Sequence, residues 1–62
     1  MTVFVNGEPR ELPSGTTIAD LATDQRGCAV AVDGAVVPRG QWTSATLQDG
    51  QRVEIVRAVQ GG

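Results

Sequence analysis

The chain has 62 residues, a net charge of −2, 40% hydrophobic and 19% charged residues, which reads as one small globular domain able to bury only about 60% of the surface its unfolded form exposes. It holds one cysteine and no histidine, which excludes an internal disulfide, an ordinary Cys/His zinc site and a Ser-His-Asp triad. All five basic residues are arginines, scattered at Arg10, Arg26, Arg39, Arg52 and Arg57 without the clustering that grips phosphates, and no apolar run approaches the roughly 20 residues that span a bilayer, so nucleic acid and membrane are not expected partners.

In chain order, Thr2 to Asn6 alternates, with Val3 and Val5 on one side and Thr2 and Phe4 on the other. Asn6-Gly7 is a hairpin signal, because both residues tolerate positive φ. Arg10 to Leu12 reads as the returning strand, ended by Pro13-Ser14-Gly15. Thr17 is a good N-cap, with Asp20 in the place of a capping-box acid. Ile18, Leu21 and Ala22 follow at helical spacing. Arg26 suits the negative end of that helix and Gly27 its left-handed cap. A helix this short needs a sheet to pack on.

Cys28 to Val32 alternates again, with Cys28, Val30 and Val32 on one face and Ala29 and Ala31 on the other. Asp33-Gly34 is a second hairpin turn, and Val36-Val37 a brief strand stopped by Pro38. Gln41 to Thr46 is irregular and carries Trp42. Asp49-Gly50 is a third turn, and its lone acid makes no metal site. Arg52 to Val59 is the last strand, with Val53 and Ile55 on one face and Glu54 and Val56 on the other. The order β-β-α-β-β-β predicts an α+β fold of the β-grasp, ubiquitin-like kind: a mixed sheet of four to five strands packed on one helix, its first and last strands side by side and parallel. The domain is expected over residues 1–57, with a flexible tail over 58–62 that ends in a diglycine.

Gly61-Gly62 is the most informative feature, since two glycines at one terminus arise by chance only about 0.5% of the time. Without Cβ atoms a diglycine can thread a narrow channel in a partner enzyme and leave its carboxylate unhindered. Ala58, Val59, Gln60 and Gly61 would thread, and the five residues from Ala58 reach about 17 Å, enough to place the Gly62 carboxylate in another protein's active site. Cys28 shares the face of Val30 and Val32 and reads as buried core rather than as a sulfur-carrying thiol. Trp42 is expected to cover an end of the core, with Arg39 beside it in a surface ion pair.

Ala29-Val30-Ala31-Val32-Asp33-Gly34, then Val37-Pro38-Arg39-Gly40-Gln41-Trp42, then Leu47-Gln48-Asp49-Gly50, then Val53-Glu54-Ile55-Val56, and the ending Val59-Gln60-Gly61-Gly62 together resemble the thiamine-biosynthesis sulfur carrier family, the ThiS family, over essentially the whole chain. The small subunit of molybdopterin synthase shares the fold and the diglycine but usually runs longer and lacks the Val-Pro-Arg and Trp stretch; that related carrier and a non-catalytic β-grasp binding module are the alternatives. The resemblance implies that an E1-like adenylating enzyme (ThiF-like) uses ATP and Mg²⁺ to activate Gly62. A persulfide sulfur donor then attacks the acyl-adenylate, and the thiocarboxylate gives its sulfur to thiazole synthase (ThiG-like). In that scheme the chain is carrier and co-substrate, binds no cofactor itself, and has no catalytic residue. Phe4, Val56, Ala31 and Glu54, out of phase with the core, form the expected docking patch on the open sheet face. The tail is uncharged where ubiquitin has an arginine, at Ala58, and the chain has no lysine to accept an isopeptide bond. The first residues lack the basic and long apolar stretches of a signal peptide, and a cytoplasmic location is expected.

Overall fold

The computed structural model describes residues 1–22 and 28–57. Strand β1 (Thr2–Val5) turns back into β2 (Glu8–Glu11), the one-turn helix α1 (Ile18–Leu21) follows, and β3 (Cys28–Val32) turns back into β4 (Ala35–Val37). A short 3-10 helix (Arg39–Gln41) leads through a loop to β5 (Arg52–Arg57). The five strands form one sheet in the order β2-β1-β5-β3-β4. β1 and β5 are parallel, with Val5 opposite Val53, while β1–β2, β3–β4 and β3–β5 are antiparallel. This is the expected β-grasp order, with the two ends of the sequence adjacent near the middle of the sheet.

Turn chemistry sets both hairpins. Asn6 and Gly7 take φ of 51° and 84°, and Asp33 and Gly34 take 50° and 86°, the two-residue turn whose twist matches its flanking strands. The tight Asn6-Gly7 turn starts β2 at Glu8 rather than at the expected Arg10, and β2 ends at Glu11, before Leu12. Pro9 sits within this strand, which is possible because β2 is a sheet edge. β2 is exposed throughout, so it lacks the burial alternation that would have marked it.

One face of the sheet carries the core. Val3, Val5, Val30 and Val53 pack with Ile18, Ala22, Trp42 and Leu47, all buried. Trp42, only 2% exposed, is the largest buried side chain and its indole N–H donates to the Val37 carbonyl at 2.9 Å. It therefore sits in the core itself, not over one end of it. The Arg39 guanidinium lies 5.6 Å from its ring centroid, a cation–π contact.

Helix α1 has the predicted capping box: Thr17 Oγ1 accepts from Asp20 N–H, and the Asp20 carboxylate accepts from Thr17 N–H at 3.0 Å. One helical turn leaves its first N–H groups without internal partners. The segment after the 3-10 helix supplies them, with Ile18 N–H donating to Ala45 C=O and Ala19 N–H to Trp42 C=O. Leu47 N–H donates back to Thr16 C=O. The stretch read as irregular is thus the cap that holds the helix. The helix ends at Leu21 with Ala22 as its C-cap, and the expected roles of Arg26 and Gly27 lie outside the described residues.

Candidate functional site

The tail residues Ala58, Val59, Gln60, Gly61 and Gly62 lie outside the described residues, as does the expected extension of β5 to Val59. What the structure describes is the platform from which the tail departs. β5 is held on one side by β3, with Glu54 opposite Ala31 and Val56 opposite Ala29. On the other side β1 reaches only as far as the pair Val5–Val53. Arg57, the residue before the tail, is opposite Cys28. Past Val53, β3 alone pairs with β5 as a strand, up to Arg57.

Phe4, Val56, Ala31 and Glu54 share the face away from α1. Phe4 is 37% exposed and Val56 60%; Glu54 is exposed and Ala31 half-buried. Register separates them, however. Phe4 stands opposite Arg52 on β5 and Pro9 on β2. Val56 lies four positions further along β5, about 13 Å away at ~3.3 Å per residue. Arg52 and Glu54 occupy the same face in between. The single apolar patch expected from the phase of the strands is therefore two patches around a charged pair. On the Phe4 side, a groove of about 410 Å³ is lined by Phe4, Asn6, Gly7, Arg52, Val53 and Glu54.

Val36 extends the patch on the Val56 side. It is 74% exposed, and it stands opposite Ala31, which in turn faces Glu54. Its facing was readable in advance: a two-residue Asp33-Gly34 turn pairs Val32 with Ala35, and so Ala31 with Val36. Cys28 packs against the core only partly and is half-buried, a correction to its expected full burial.

Three turn residues hold distant strands with their side chains. Asp49 Oδ1 accepts from Thr2 N–H at 2.7 Å, Asp33 Oδ1 from Arg52 N–H at 3.0 Å, and Asn6 Oδ1 from Ile55 N–H at 2.9 Å. The sequence marked all three as turns by the glycine that follows, but not their reach. Among the described residues no group of three or more His, Cys, Asp or Glu side chains could hold a metal ion, and no helix is long and apolar enough to cross a membrane.

Comparison with known proteins agrees with this geometry. The chain is 32% identical to the sulfur carrier protein ThiS of Escherichia coli K12, over the full length of both. Proteins named thiazole synthase from Paramagnetospirillum magneticum and Magnetococcus marinus match the whole chain at 30% and 33% identity, but over only 20% of their own length. The crystal structure of a thiamine biosynthesis protein (ThiS) from Geobacter metallireducens superposes with a TM-score of 0.83 at 25% identity, again over the whole of both chains. The ThiS family model itself matches residues 3–62, all but the first two positions, and on that match the chain belongs to the ThiS family.

Proposed function

We propose that the chain carries sulfur as a thiocarboxylate on Gly62. It is a sulfur carrier of thiamine biosynthesis, not a catalyst. The observation that carries the proposal is the central strand β5, which ends at Arg57, five residues before a sequence end of two glycines.

The chemistry follows from what a carboxylate lacks. It is a poor electrophile, so an E1-like, ThiF-like enzyme first joins it to the AMP moiety of ATP, with Mg²⁺, releasing pyrophosphate. The terminal sulfur of a persulfide donor then displaces AMP. Cleavage of the resulting S–S bond, with two electrons from a thiol reductant, leaves Gly62–C(O)S⁻. This soft nucleophile is delivered to a ThiG-like thiazole synthase. The relatives from Paramagnetospirillum magneticum and Magnetococcus marinus support that last partner: each bears the name thiazole synthase and contains a stretch matching this entire chain, so a domain of this kind and that name occur in one polypeptide. ATP and Mg²⁺ belong to the adenylating enzyme, and the cytoplasm is the compartment this scheme requires.

The test is the intact mass of protein purified from its native host, with and without Gly62. Exchange of one carboxylate oxygen for sulfur adds about 16 Da, the signature of the covalent product. Loss of Gly62 should abolish that shift and leave thermal melting unchanged, because among the described residues Ile55 is the last that packs against the core. A truncated chain that still gained the sulfur mass would refute Gly62 as the carrier group.

A further inference from the structure

Asn6 does more than an Asn-Gly turn demands of it. Its φ of 51° is one that Asn tolerates and Gly adopts more readily. Its backbone N–H donates to Val53 C=O at 2.8 Å, one residue past the last β1–β5 pair. There the turn carries the backbone away from β5. The side chain continues in its place: Oδ1 accepts from Ile55 N–H at 2.9 Å, and Nδ2 donates to Ile55 C=O at 3.4 Å. A carboxamide carries the same donor and acceptor as a peptide unit, so Asn6 adds one more rung to the parallel ladder across 49 residues of sequence. It grips β5 two positions before Arg57, where the tail begins.

We propose that Asn6 is a positioning residue for sulfur loading: its carboxamide fixes the direction in which β5 leaves the sheet, and hence how the tail presents Gly62 to the adenylating enzyme. The inference rests on Gly62 being the reactive end. The lever arm makes the grip matter. For five residues at their full reach of about 17 Å, a tilt of about 10° at the base moves the end by up to about 3 Å, whereas displacements of about 1 Å can already cost a factor of about 100 in rate. The tail adapts once inside a partner's channel, so the base acts by setting what fraction of the docked complexes has the tail directed into it.

The fold supplies a matched control. Asp33 is also the first residue of a two-residue turn, at φ 50°, and it also accepts from a β5 backbone N–H, that of Arg52 at 3.0 Å. Arg52 is at the opposite end of β5 from the tail. Asn6→Gly and Asp33→Gly both keep the turn and remove one side-chain grip on β5. The experiment measures kcat and KM for adenylation of each variant by the adenylating enzyme, affinity for that enzyme, thermal melting, and backbone amide exchange at Ile55.

Asn6→Gly should lower kcat about ten-fold, with affinity for the enzyme unchanged and faster exchange at Ile55. Asp33→Gly, with a similar loss of melting temperature, should keep kcat within about two-fold of the parent. Asn6→Asp keeps the acceptor but loses the donor to Ile55 C=O; it should fall between parent and glycine variant, and it carries the test if Asn6→Gly does not fold. Equal loss of kcat in the Asn6 and Asp33 variants, or parental kcat in Asn6→Gly, overturns the proposal. Failure of the parent chain to be adenylated would instead refute the role of Gly62, and Ile55 exchange unaltered by Asn6→Gly would refute the grip independently.

Discussion

Val5 and Val53 lie side by side in the parallel ladder that joins the beginning of the chain to its end, and both side chains are buried against α1 and Trp42. The pair closes the fold, because β1–β2 and β3–β4 are local hairpins that could form separately. A charge at this point must give up most of its water among apolar side chains. Val5→Asp should therefore cost several kcal/mol, as much as the whole stability of a domain this small. Circular dichroism should show no cooperative melting transition at 25 °C. A variant that melts within a few degrees of the parent would mean that the ladder is not what closes the core.

Trp42 carries a second prediction. Its side chain fills the centre of the core, its indole N–H satisfies Val37 C=O, and its own carbonyl accepts from Ala19 N–H at the start of α1. Trp42→Ala removes the first two and leaves a cavity, at a cost of about 3–5 kcal/mol. Arg39→Ala leaves the indole in place; the cation–π contact it removes is worth about 0.5–1 kcal/mol, so the variant should lose far less than Trp42→Ala. Urea titrations of the two variants should separate these magnitudes. Similar midpoints for both would show that the indole is not what holds the core around it.

The readability of this sequence divides along a physical line. Turns and facing were legible because they depend on local rules: Asn-Gly and Asp-Gly at positive φ, and alternation of apolar residues; the strand order was expected from the usual arrangement of a β-β-α-β-β-β chain. β2 was misplaced because an exposed edge strand containing Pro9 has no alternation to read. The role of residues 42–47 was hidden for a different reason: Ala45 and Trp42 act on α1 through their carbonyl oxygens, which every residue possesses. The grips of Asn6 on Ile55 and Asp33 on Arg52 were hidden similarly, since an Asx side chain in a turn looks alike whether it bonds its own turn or a strand 49 residues away. The division of the open face into two patches needed the β1–β5 register, which phase alone cannot supply.

Cys28 has a milder forecast than full burial would imply. The thiol is half-buried at the start of β3, so a serine hydroxyl in its place can reach water. Cys28→Ser should then cost about 1 kcal/mol or less, not the larger penalty of a sequestered hydroxyl. Sulfur loading, read as the mass gain on the intact chain, should persist, because the thiocarboxylate forms on Gly62 and needs no thiol in the carrier. A variant that melts like the parent yet gains no sulfur would make Cys28 a participant in the chemistry.

The open sheet face gives the last prediction, in a form the register makes sharper. Phe4 and Val56 both point away from the core, and Arg52 and Glu54 stand between them. A partner that covers the base of the tail must desolvate the Val56 side first, since Val56 precedes Arg57 and the tail. Val36 and Ala29 extend that side across β3 and β4, while Phe4 and its groove lie toward the opposite end of β5. An aspartate at either position stays solvated in the free carrier, so Val56→Asp and Phe4→Asp should each shift stability by about 1 kcal/mol or less. On docking, a new unpaired charge must lose its water. Val56→Asp should weaken affinity for the adenylating enzyme by about ten-fold or more, roughly 1.4 kcal/mol, and Val36→Asp by less. Phe4→Asp should weaken it only if the enzyme's footprint extends past Glu54. Titration of all three variants against the adenylating enzyme, beside their melting curves, maps that footprint. Parental affinity in Val56→Asp would remove the open face from the docking surface altogether and leave recognition to the tail.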